Sequence, residues 1–176
     1  MTPRMLSLPR PRGALIRHYF PDLVYGANDG IITTFAVVSG VVGADLSERV
    51  ILILGFANLL ADGISMGASN FLSRRSYAEA AERADRPEAA RHGVATIVGF
   101  VTAGTVPLIA YLVPLPAEWR FAAAIMLTLA TLFAVGASRA LITRLGWIRS
   151  GLEMLSVGAI AAAVAYGIGA LASAIT

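Results

Sequence analysis

Two acidic residues lie inside long apolar stretches of this chain, where a charged side chain is costly. Asp29 falls in the first apolar stretch and Asp62 in the second. A carboxylate at the centre of a membrane span costs ~2.5–3.5 kcal/mol on insertion scales, so such residues normally face a bundle interior or a wet cavity. They often line the path of an ion. The pair therefore indicates a site that handles a cation or a proton.

A polar face runs along the second stretch if that stretch is helical. At about 100° per residue, four polar residues fall within about 60° of one another: Asn58, Asp62, Ser65 and Ser69. Met66 lies on the edge of this polar stripe, and Asn28 and Thr33 share a side with Asp29. Oxygen ligands suit a hard divalent cation, and a thioether favours a first-row transition metal. The candidate metal ligands are Asp29, Asp62, Met66 and Asn58.

Hydrogen bonding between helices is the competing interpretation of the polar stripe. Polar residues in spans often hold helices together without binding a ligand, and this interpretation stays open for Asn58, Ser65 and Ser69. Two acids on consecutive spans are harder to explain in this way. Glu153 lies at the start of the last apolar stretch. Two interpretations of it stay open, an ion pair with Arg149 and a role in transport.

The composition fits a membrane protein better than a soluble one. Of the 176 residues, 57% are hydrophobic and 14% charged, and the mean hydropathy is +0.72. A soluble domain is about 45–50% apolar and about 25% charged, and a spanning helix needs about 20 mostly apolar residues. Five stretches meet that length, at residues 23–44, 50–72, 94–113, 121–141 and 152–175. The predicted fold class is all-α, an integral membrane bundle of five transmembrane helices that occupies residues 23–176.

The scarce residue types exclude several functions. The chain has no cysteine, which excludes disulfides, thiolate metal sites and cysteine nucleophiles. Its two histidines, His18 and His92, are too few to suggest a histidine-rich metal site or a Ser-His-Asp triad inside the membrane. The sequence carries no phosphate loop, nucleophile elbow, HExxH or dinucleotide motif. We therefore predict that the protein is not an enzyme and needs no cofactor.

The positions of the basic residues, all of them arginine, predict an orientation. They lie between apolar runs rather than along one stripe, which argues against nucleic-acid binding. Twelve fall in the N-terminal tail, the loop after the second span and the region around the end of the fourth, whereas only Arg49 and Arg120 lie on the other side. The positive-inside rule then places the N-terminus in the cytoplasm and, after five spans, the C-terminus on the opposite side. The composition, rich in alanine and arginine, suggests a prokaryotic inner membrane.

Two segments outside the spans have distinctive sequences. Residues 1–22 form a cytoplasmic tail, in which the first dozen are predicted to be disordered and 13–20 to form a short interfacial helix. A cleaved signal peptide is the competing interpretation of this tail. The cytoplasmic loop at 73–92 carries four acids at three-residue intervals, Glu79, Glu82, Asp85 and Glu88. We favour an ion-paired helix extension for this loop, and weak capture of metal by its carboxylates is the alternative.

Small residues flank both membrane acids. Gly26 and Gly30 are four positions apart, as are Gly63 and Gly67, and this spacing lets helix backbones approach closely. The acids are therefore predicted to lie where the helices are packed most tightly. In the third span, Pro107 predicts a kink.

Two motifs on consecutive spans carry a family resemblance. They are YGANDGIITTFAVVSG at residues 25–40 and GFANLLADGISMG at 55–67. Together they resemble the vacuolar iron transporter family, which also includes yeast vacuolar iron and manganese carriers and plant nodulin-like members. The resemblance runs from about residue 22 to the C-terminus and is densest in the first two spans.

The resemblance implies a five-span homodimer that moves Fe²⁺, and often Mn²⁺, out of the cytosol in exchange for protons. It implies a metal path at the dimer interface, with Asp29 as the first-span acid and Met66 as the second-span methionine ligand. The sequence departs from the vacuolar members at Asn58, where they carry a glutamate. Asp62, one turn along the same stripe, is the residue that would substitute. The short loop at 73–92 stands where those members have a large, glutamate-rich cytoplasmic domain.

The sequence therefore favours a homodimeric transporter that exports Fe²⁺ or Mn²⁺ from the cytoplasm by proton antiport. Its partners would be the metal ion, protons, the lipid bilayer and a second copy of the chain, with no nucleic acid. The rival is a membrane scaffold that transports nothing, in which the polar stripe only holds helices together. Replacing Asp29 by asparagine separates the two, because an amide still forms hydrogen bonds but cannot offset the charge of a cation.

Overall fold

The structure is a computed structural model that describes residues 12–81, 86–143 and 145–175. These residues form helices and no strand, so the predicted all-α class is confirmed for this part of the chain. The helices are α1 Arg12–Gly43, α2 Glu48–Ala80, α3 Arg86–Gly104, α4 Val106–Leu112, α5 Ala117–Ser138 and α6 Trp147–Ile175, with a 3₁₀ turn, Arg139–Leu141, after α5. Residues 1–11, which include most of the predicted disordered stretch, lie outside the described residues.

Within the described residues, four helical segments are long and apolar enough to cross a membrane. They are Glu48–Ala80, Pro87–Leu112, Ala117–Leu141 and Trp147–Ile175, and they correspond to the second to fifth predicted spans. Large apolar side chains on these helices are exposed, among them Ile64, Met126, Ile160 and Leu171. Proteins in water rarely expose extensive apolar surface. These faces therefore support the prediction of an integral membrane protein.

Helix α1 is the centre of the bundle. It contacts each of the other five helices, and Ile31, Thr34 and Val38 on it have no exposed surface. A helix that protein encloses does not need a wholly apolar surface facing lipid, so α1 tolerates its polar residues. It is not among the four segments that combine sufficient length and hydropathy, and the fifth span stays a prediction.

The N-terminal half of α1 extends further than the sequence predicted. The helix begins at Arg12 and continues through Pro21 without a break. The stretch at 13–20, predicted as a short interfacial helix, is helical and forms part of the first turns of α1. Its location at the membrane interface stays a prediction. Proline removes one helical hydrogen bond, but the next side chain, Asp22, is held by both α2 and α3.

Glycines bring the backbones of α1 and α3 into direct contact. A Cβ atom on Gly26 would collide with the carbonyl oxygen of Thr96, and one on Gly30 with that of Phe100. On α2, Gly63 and Gly67 also lie against α3. Helix α3 therefore braces both of the helices that carry the membrane acids.

The third predicted span is broken near its end. Helix α3 ends at Gly104 and α4 begins at Val106, with Thr105 between them. Pro107 lies in the first turn of α4, a position that does not require its missing N–H group. The Thr105 hydroxyl donates a 2.7 Å hydrogen bond to the Val101 carbonyl oxygen. The interruption between α3 and α4 thus lies two residues before Pro107, where the sequence predicted a kink.

The main apolar core lies towards the end of the bundle opposite the start of α1. Its buried members come from four helices, and they include Phe35, Val38, Val41, Ile51, Leu108 and Ala124. The other end of the bundle is held by polar contacts between side chains, described next.

Candidate metal-binding site

Asp29 and Asp62 lie on neighbouring helices and face a common region. Helices α1 and α2 are joined by the short turn at 44–47 and contact each other. Both acids are half-buried, and their carboxylates are close enough to interact electrostatically. Like charges in a poorly solvated position repel each other unless a cation offsets them. The structure therefore brings together the two acids that the sequence singled out.

Met66 lines an open groove between α1 and α2. The groove has a volume of about 450 Å³, and its other lining residues include Tyr25, Ser69 and Asn70. Along α2, Asp62 lies between Met66 on one side and Asn58 on the other, each one helical turn away, and all three are half-buried. The arrangement leaves an approach to the thioether from the end of the bundle where α1 begins.

An amide oxygen next to Asp29 has no hydrogen-bond partner among the described residues. Asn28 Oδ1 is buried and accepts no hydrogen bond there. Buried polar atoms without a partner are uncommon and call for an explanation, and amide oxygens are ligands for hard cations. Asn28 lies on the predicted polar side of the first span but is not among the ligands predicted from the sequence.

A polar network ties three helices together at the end of this groove. Asp22 Oδ1 accepts hydrogen bonds from Asn70 Nδ2 at 2.8 Å and from Arg74 Nη2 at 2.9 Å. Asn70 Nδ2 also lies 2.6 Å from the Thr96 hydroxyl oxygen. Asp22 is only 5% exposed, so α1 is fixed to α2 and α3 through one buried carboxylate.

Asp22 is negatively charged at neutral pH. It lies just outside the predicted first span. Burial raises its pKa, but hydrogen bonds from His92 and Asn70 and the charge of Arg74 outweigh burial and hold the pKa below the ordinary value of 3.8. The network therefore contains a permanent anion next to an imidazole.

Both histidines of the chain belong to this end of the bundle. His92 Nδ1 lies 2.5 Å from Asp22 Oδ2, and His92 Nε2 lies 3.2 Å from His18 Nε2. His18 Nε2 is in turn 2.8 Å from Glu88 Oε1. The expectation that two histidines are too few for a metal site concerned the membrane interior, whereas the structure brings them together outside the predicted spans.

The cluster was not predicted from the sequence, because 74 positions separate the two histidines. A signal was present nevertheless. His18 precedes the first predicted span and His92 precedes the third. Spans that are two apart in order begin on the same side of the membrane, so the two imidazoles had to lie at the same face.

The other acidic residues considered in the sequence do not lie together in the part of the chain that the structure describes. Glu79 Oε1 lies 2.8 Å from Arg75 Nε one turn back on α2, as in an ion-paired helix extension. Glu153 Oε1 lies 3.2 Å from Arg149 Nε, which fits the ion-pair interpretation of that residue. Glu88 is separate from Glu79 and lies beside His18. Glu82 and Asp85 lie outside the described residues.

Comparison with known proteins identifies similar sequences along most of the chain. The model of the VIT family matches residues 20–92 and 81–170. Vacuolar iron transporter homolog 1 of Oryza sativa subsp. japonica is 31% identical over 164 residues, which cover 82% of this chain and 70% of that protein. Vacuolar iron transporter 1 of Arabidopsis thaliana is 26% identical over 206 residues and 82% of each chain.

Apicomplexan relatives are more similar over a shorter stretch. The vacuolar iron transporter of Toxoplasma gondii is 53% identical over 55 residues, which cover 31% of this chain and 18% of that protein. In the vacuolar iron transporters of Plasmodium berghei and Plasmodium falciparum, the match covers 22% and 19% of their length. The chain therefore spans only a small part of these three relatives.

Proposed function

Because this chain belongs to the VIT family, we propose that it transports a divalent transition metal, Fe²⁺ or Mn²⁺, across the membrane that it occupies. The rice and Arabidopsis relatives, which the chain matches over most of their length, are named as iron transporters. The four apolar helices support a location in the membrane. Members of the family are transporters rather than enzymes.

The observation that carries this proposal is the approach of Asp29 to Asp62. Two carboxylates on consecutive helices interact within a bundle whose outer surface is apolar. A structural role alone would leave their mutual repulsion without compensation, whereas a divalent cation between them offsets both charges. The site is therefore better suited to a passing metal ion than to helix packing.

Met66 and the neighbouring amides complete the proposed ligand set. The thioether lies one turn from Asp62 and lines the groove between α1 and α2. A sulfur ligand favours a first-row transition metal over Ca²⁺ or Mg²⁺. Asn58 would tune the site from the other side of Asp62, and the unsatisfied Oδ1 of Asn28 is a further oxygen beside Asp29.

Transport would run outward from the cytoplasm. The groove that reaches Met66 opens at the end of the bundle that contains the start of α1 and the end of α2. The excess of arginine at this end favours its cytoplasmic location, so metal would enter the groove from the cytoplasm of a prokaryotic cell. Protonation neutralises a carboxylate that the metal has left, which makes proton antiport the favoured form of energy coupling.

The proposed topology has five spans, with α1 as the first. The polar residues of α1 lower its hydropathy, but its five neighbouring helices shield it from lipid. Five spans place the C-terminus opposite the cytoplasmic N-terminus. Because the chain contains no cysteine, single variants test the orientation of α2 in this topology. In intact cells, a membrane-impermeant thiol reagent should label Ser47→Cys and should leave Ser76→Cys unlabelled.

A second copy of the chain would cover the open side of the metal site. On α2, Leu60, Ile64 and Ser65 are exposed beside the half-buried Asp62. Contact of a carboxylate with lipid is costly. A homodimer that buries this face of α2 removes that cost and encloses the site.

Metal uptake by proteoliposomes with an imposed pH gradient tests the function. Wild-type protein should accumulate Fe²⁺ or Mn²⁺, and Asp29→Asn should reduce the rate by more than about tenfold. The matched control is Asp45→Asn, the same chemical change in the exposed turn after α1. Asp45 has a φ of 54°, a conformation that asparagine tolerates, so this variant should transport normally.

The outcomes separate the transporter from the rival scaffold. If wild type takes up no metal under any gradient, or if folded Asp29→Asn transports at the wild-type rate, the polar stripe is a packing feature. Uptake that is independent of the pH gradient would retain the transporter and reject antiport.

A further inference from the structure

We propose that His18, His92 and Glu88 form a second metal-binding site that takes a first-row divalent transition metal. The site lies at the end of the bundle where α1 and α3 begin, outside the predicted spans. It shares no ligand with the site at Asp29 and Asp62.

The distance between the two histidine nitrogens is the one that a single ion requires. A tetrahedral ion with metal–nitrogen bonds of about 2.0–2.1 Å holds two ligand nitrogens about 3.3 Å apart. The two Nε2 atoms are 3.2 Å apart. With Glu88 Oε1 included, the three ligand atoms all lie within 4.8 Å of one another. One ion can therefore reach all three after small side-chain adjustments.

The orientation of His92 is fixed by Asp22. Because the Asp22 carboxylate is ionised and lies 2.5 Å from His92 Nδ1, it accepts the proton on that nitrogen. His92 Nε2 is then left with a lone pair that points towards His18. A carboxylate that holds the far nitrogen of a ligand histidine is a recurring partner in metal sites, where it fixes the ring and increases its basicity.

The three ligand residues lie on helices and line a cavity that a metal ion can enter from the surface. His18 and Glu88 lie on α1 and α3 and are half-buried, whereas His92 on α3 is only 3% exposed. All three line a cavity of about 430 Å³ that is open to the surface. The cavity leaves room for a water molecule to complete the coordination. Arg74 also lines it, but its guanidinium is ion-paired with Asp22, which offsets its repulsion of a cation.

The ligand types select the class of metal. Two imidazoles with one carboxylate suit Fe²⁺, Co²⁺ or Zn²⁺, whereas Ca²⁺ and Mg²⁺ prefer sites made wholly of oxygen. Without metal, the hydrogen on His18 Nε2 can be donated to Glu88 Oε1. Metal would take the place of that hydrogen on Nε2, and the hydrogen can move to Nδ1 of the same ring.

The site opens towards the proposed transport path. Ser73 lines both the cavity at His18 and the groove that contains Met66. Metal held by the histidines would therefore lie next to the groove that contains Met66. A role in delivering cargo rests on the proposed function, but binding itself does not.

Cobalt binding measured without transport tests the proposal. The full chain, purified without a histidine tag, would carry Asp29→Asn and Asp62→Asn to disable the membrane site. In this background Co²⁺ should still bind, with visible absorption bands of a nitrogen- and oxygen-ligated ion. Adding His18→Gln should weaken binding by about tenfold or more. Glu79→Gln, a nearby ion-paired acid, should have no effect.

Three results would overturn the site. They are the absence of Co²⁺ binding in the double variant, binding that His18→Gln leaves unchanged, and Co²⁺ bands without histidine ligation. Should His92→Gln prove unstable because the side chain is buried, Glu88→Gln supplies the second ligand variant at a half-buried position. The protein in this test lacks both membrane carboxylates, and the measurement is Co²⁺ binding rather than transport. The outcome for the histidine site is therefore independent of whether the wild-type protein transports metal.

Discussion

His92 Nδ1 lies 2.5 Å from Asp22 Oδ2, and both side chains are almost completely buried. The contact joins α1 to α3, which are 70 positions apart along the chain at these two residues. Hydrogen bonds to an ionised group are stronger than neutral ones, and this carboxylate accepts several. Asp22 is therefore a structural anchor as well as the residue that orients His92.

Removing the charge of this anchor should destabilise the protein. Asp22→Asn loses the ion pair with Arg74 and leaves buried donors poorly satisfied, so we expect the free energy of unfolding to fall by about 3 kcal/mol. Thermal unfolding in detergent, followed by circular dichroism, measures the change. Asp45→Asn, in the exposed turn, should unfold like wild type. Equal stability of the two variants would contradict the anchoring role.

The same residue should make stability depend on acid. Because the pKa of Asp22 in the folded protein lies below 3.8, its ionised form stabilises the fold above that pH. This contribution should be lost as the pH falls through the lowered pKa. Unfolding temperatures of wild type and Asp22→Asn should therefore differ at pH 6 and converge below about pH 3.8. A difference that is constant over this range would disprove the assignment.

Close approach of α1 and α3 predicts a sharp contrast between two glycines of the same helix. In Gly26→Ala the new methyl group would collide with the backbone of Thr96, whereas in Gly40→Ala it would lie 3.6 Å from the Ala165 carbonyl oxygen, an ordinary contact. We expect Gly26→Ala to lose about 1–3 kcal/mol of stability and Gly40→Ala to lose little. If Gly26→Ala and Gly40→Ala unfolded at similar temperatures, α1 and α3 would be able to move apart at little cost, which contradicts the prediction.

The thioether of Met66 should influence metal selection. Met66→Leu keeps the size and apolar character of the side chain but removes the soft ligand, so the KM for Fe²⁺ should rise by roughly threefold to tenfold. Mn²⁺, a harder ion, should be affected less. Met126→Leu, at an exposed position on α5, is the control and should behave as wild type in proteoliposome uptake. Equal effects of Met66→Leu on both metals would assign Met66 to packing.

The exposed face of α2 should lie at the interface of the proposed homodimer. Ser65→Cys places a thiol on this face in a chain that has no other cysteine, and mild oxidation in membranes should yield a covalent dimer on gels. Ser156→Cys, the same change on the exposed surface of α6, should stay monomeric. Cross-linking of the α6 variant alone would place the interface on the opposite side of the bundle.

Periodicity and hydropathy were sufficient to predict the helices and the polar stripe of α2. The side-chain pattern repeats with the helical period, so residues such as Asn58 and Asp62 share a face whatever surrounds them. The same reasoning identified the two acids, because a charge in an apolar stretch requires compensation. These features depend on local sequence alone.

Contacts between distant segments could not be predicted in this way. The cluster at His18 depends on how α1 crosses α3, and the unbroken course of α1 through Pro21 depends on neighbours that hold Asp22. A proline and a change of polarity locally favour a boundary at that point. The helix predicted at 13–20 nevertheless continues through Pro21 into the rest of α1 without a break.

The interruption at Thr105 separates two parts of the third span that pack against different helices. Beyond it, α4 packs mainly on α5, while α3 packs mainly on α1 and α2. Leu108 and Ala110 of α4 belong to the main apolar core together with Phe35, whereas α3 carries the glycine contacts and part of the polar network. The third span therefore joins the two ends of the bundle, which are held by different kinds of contact.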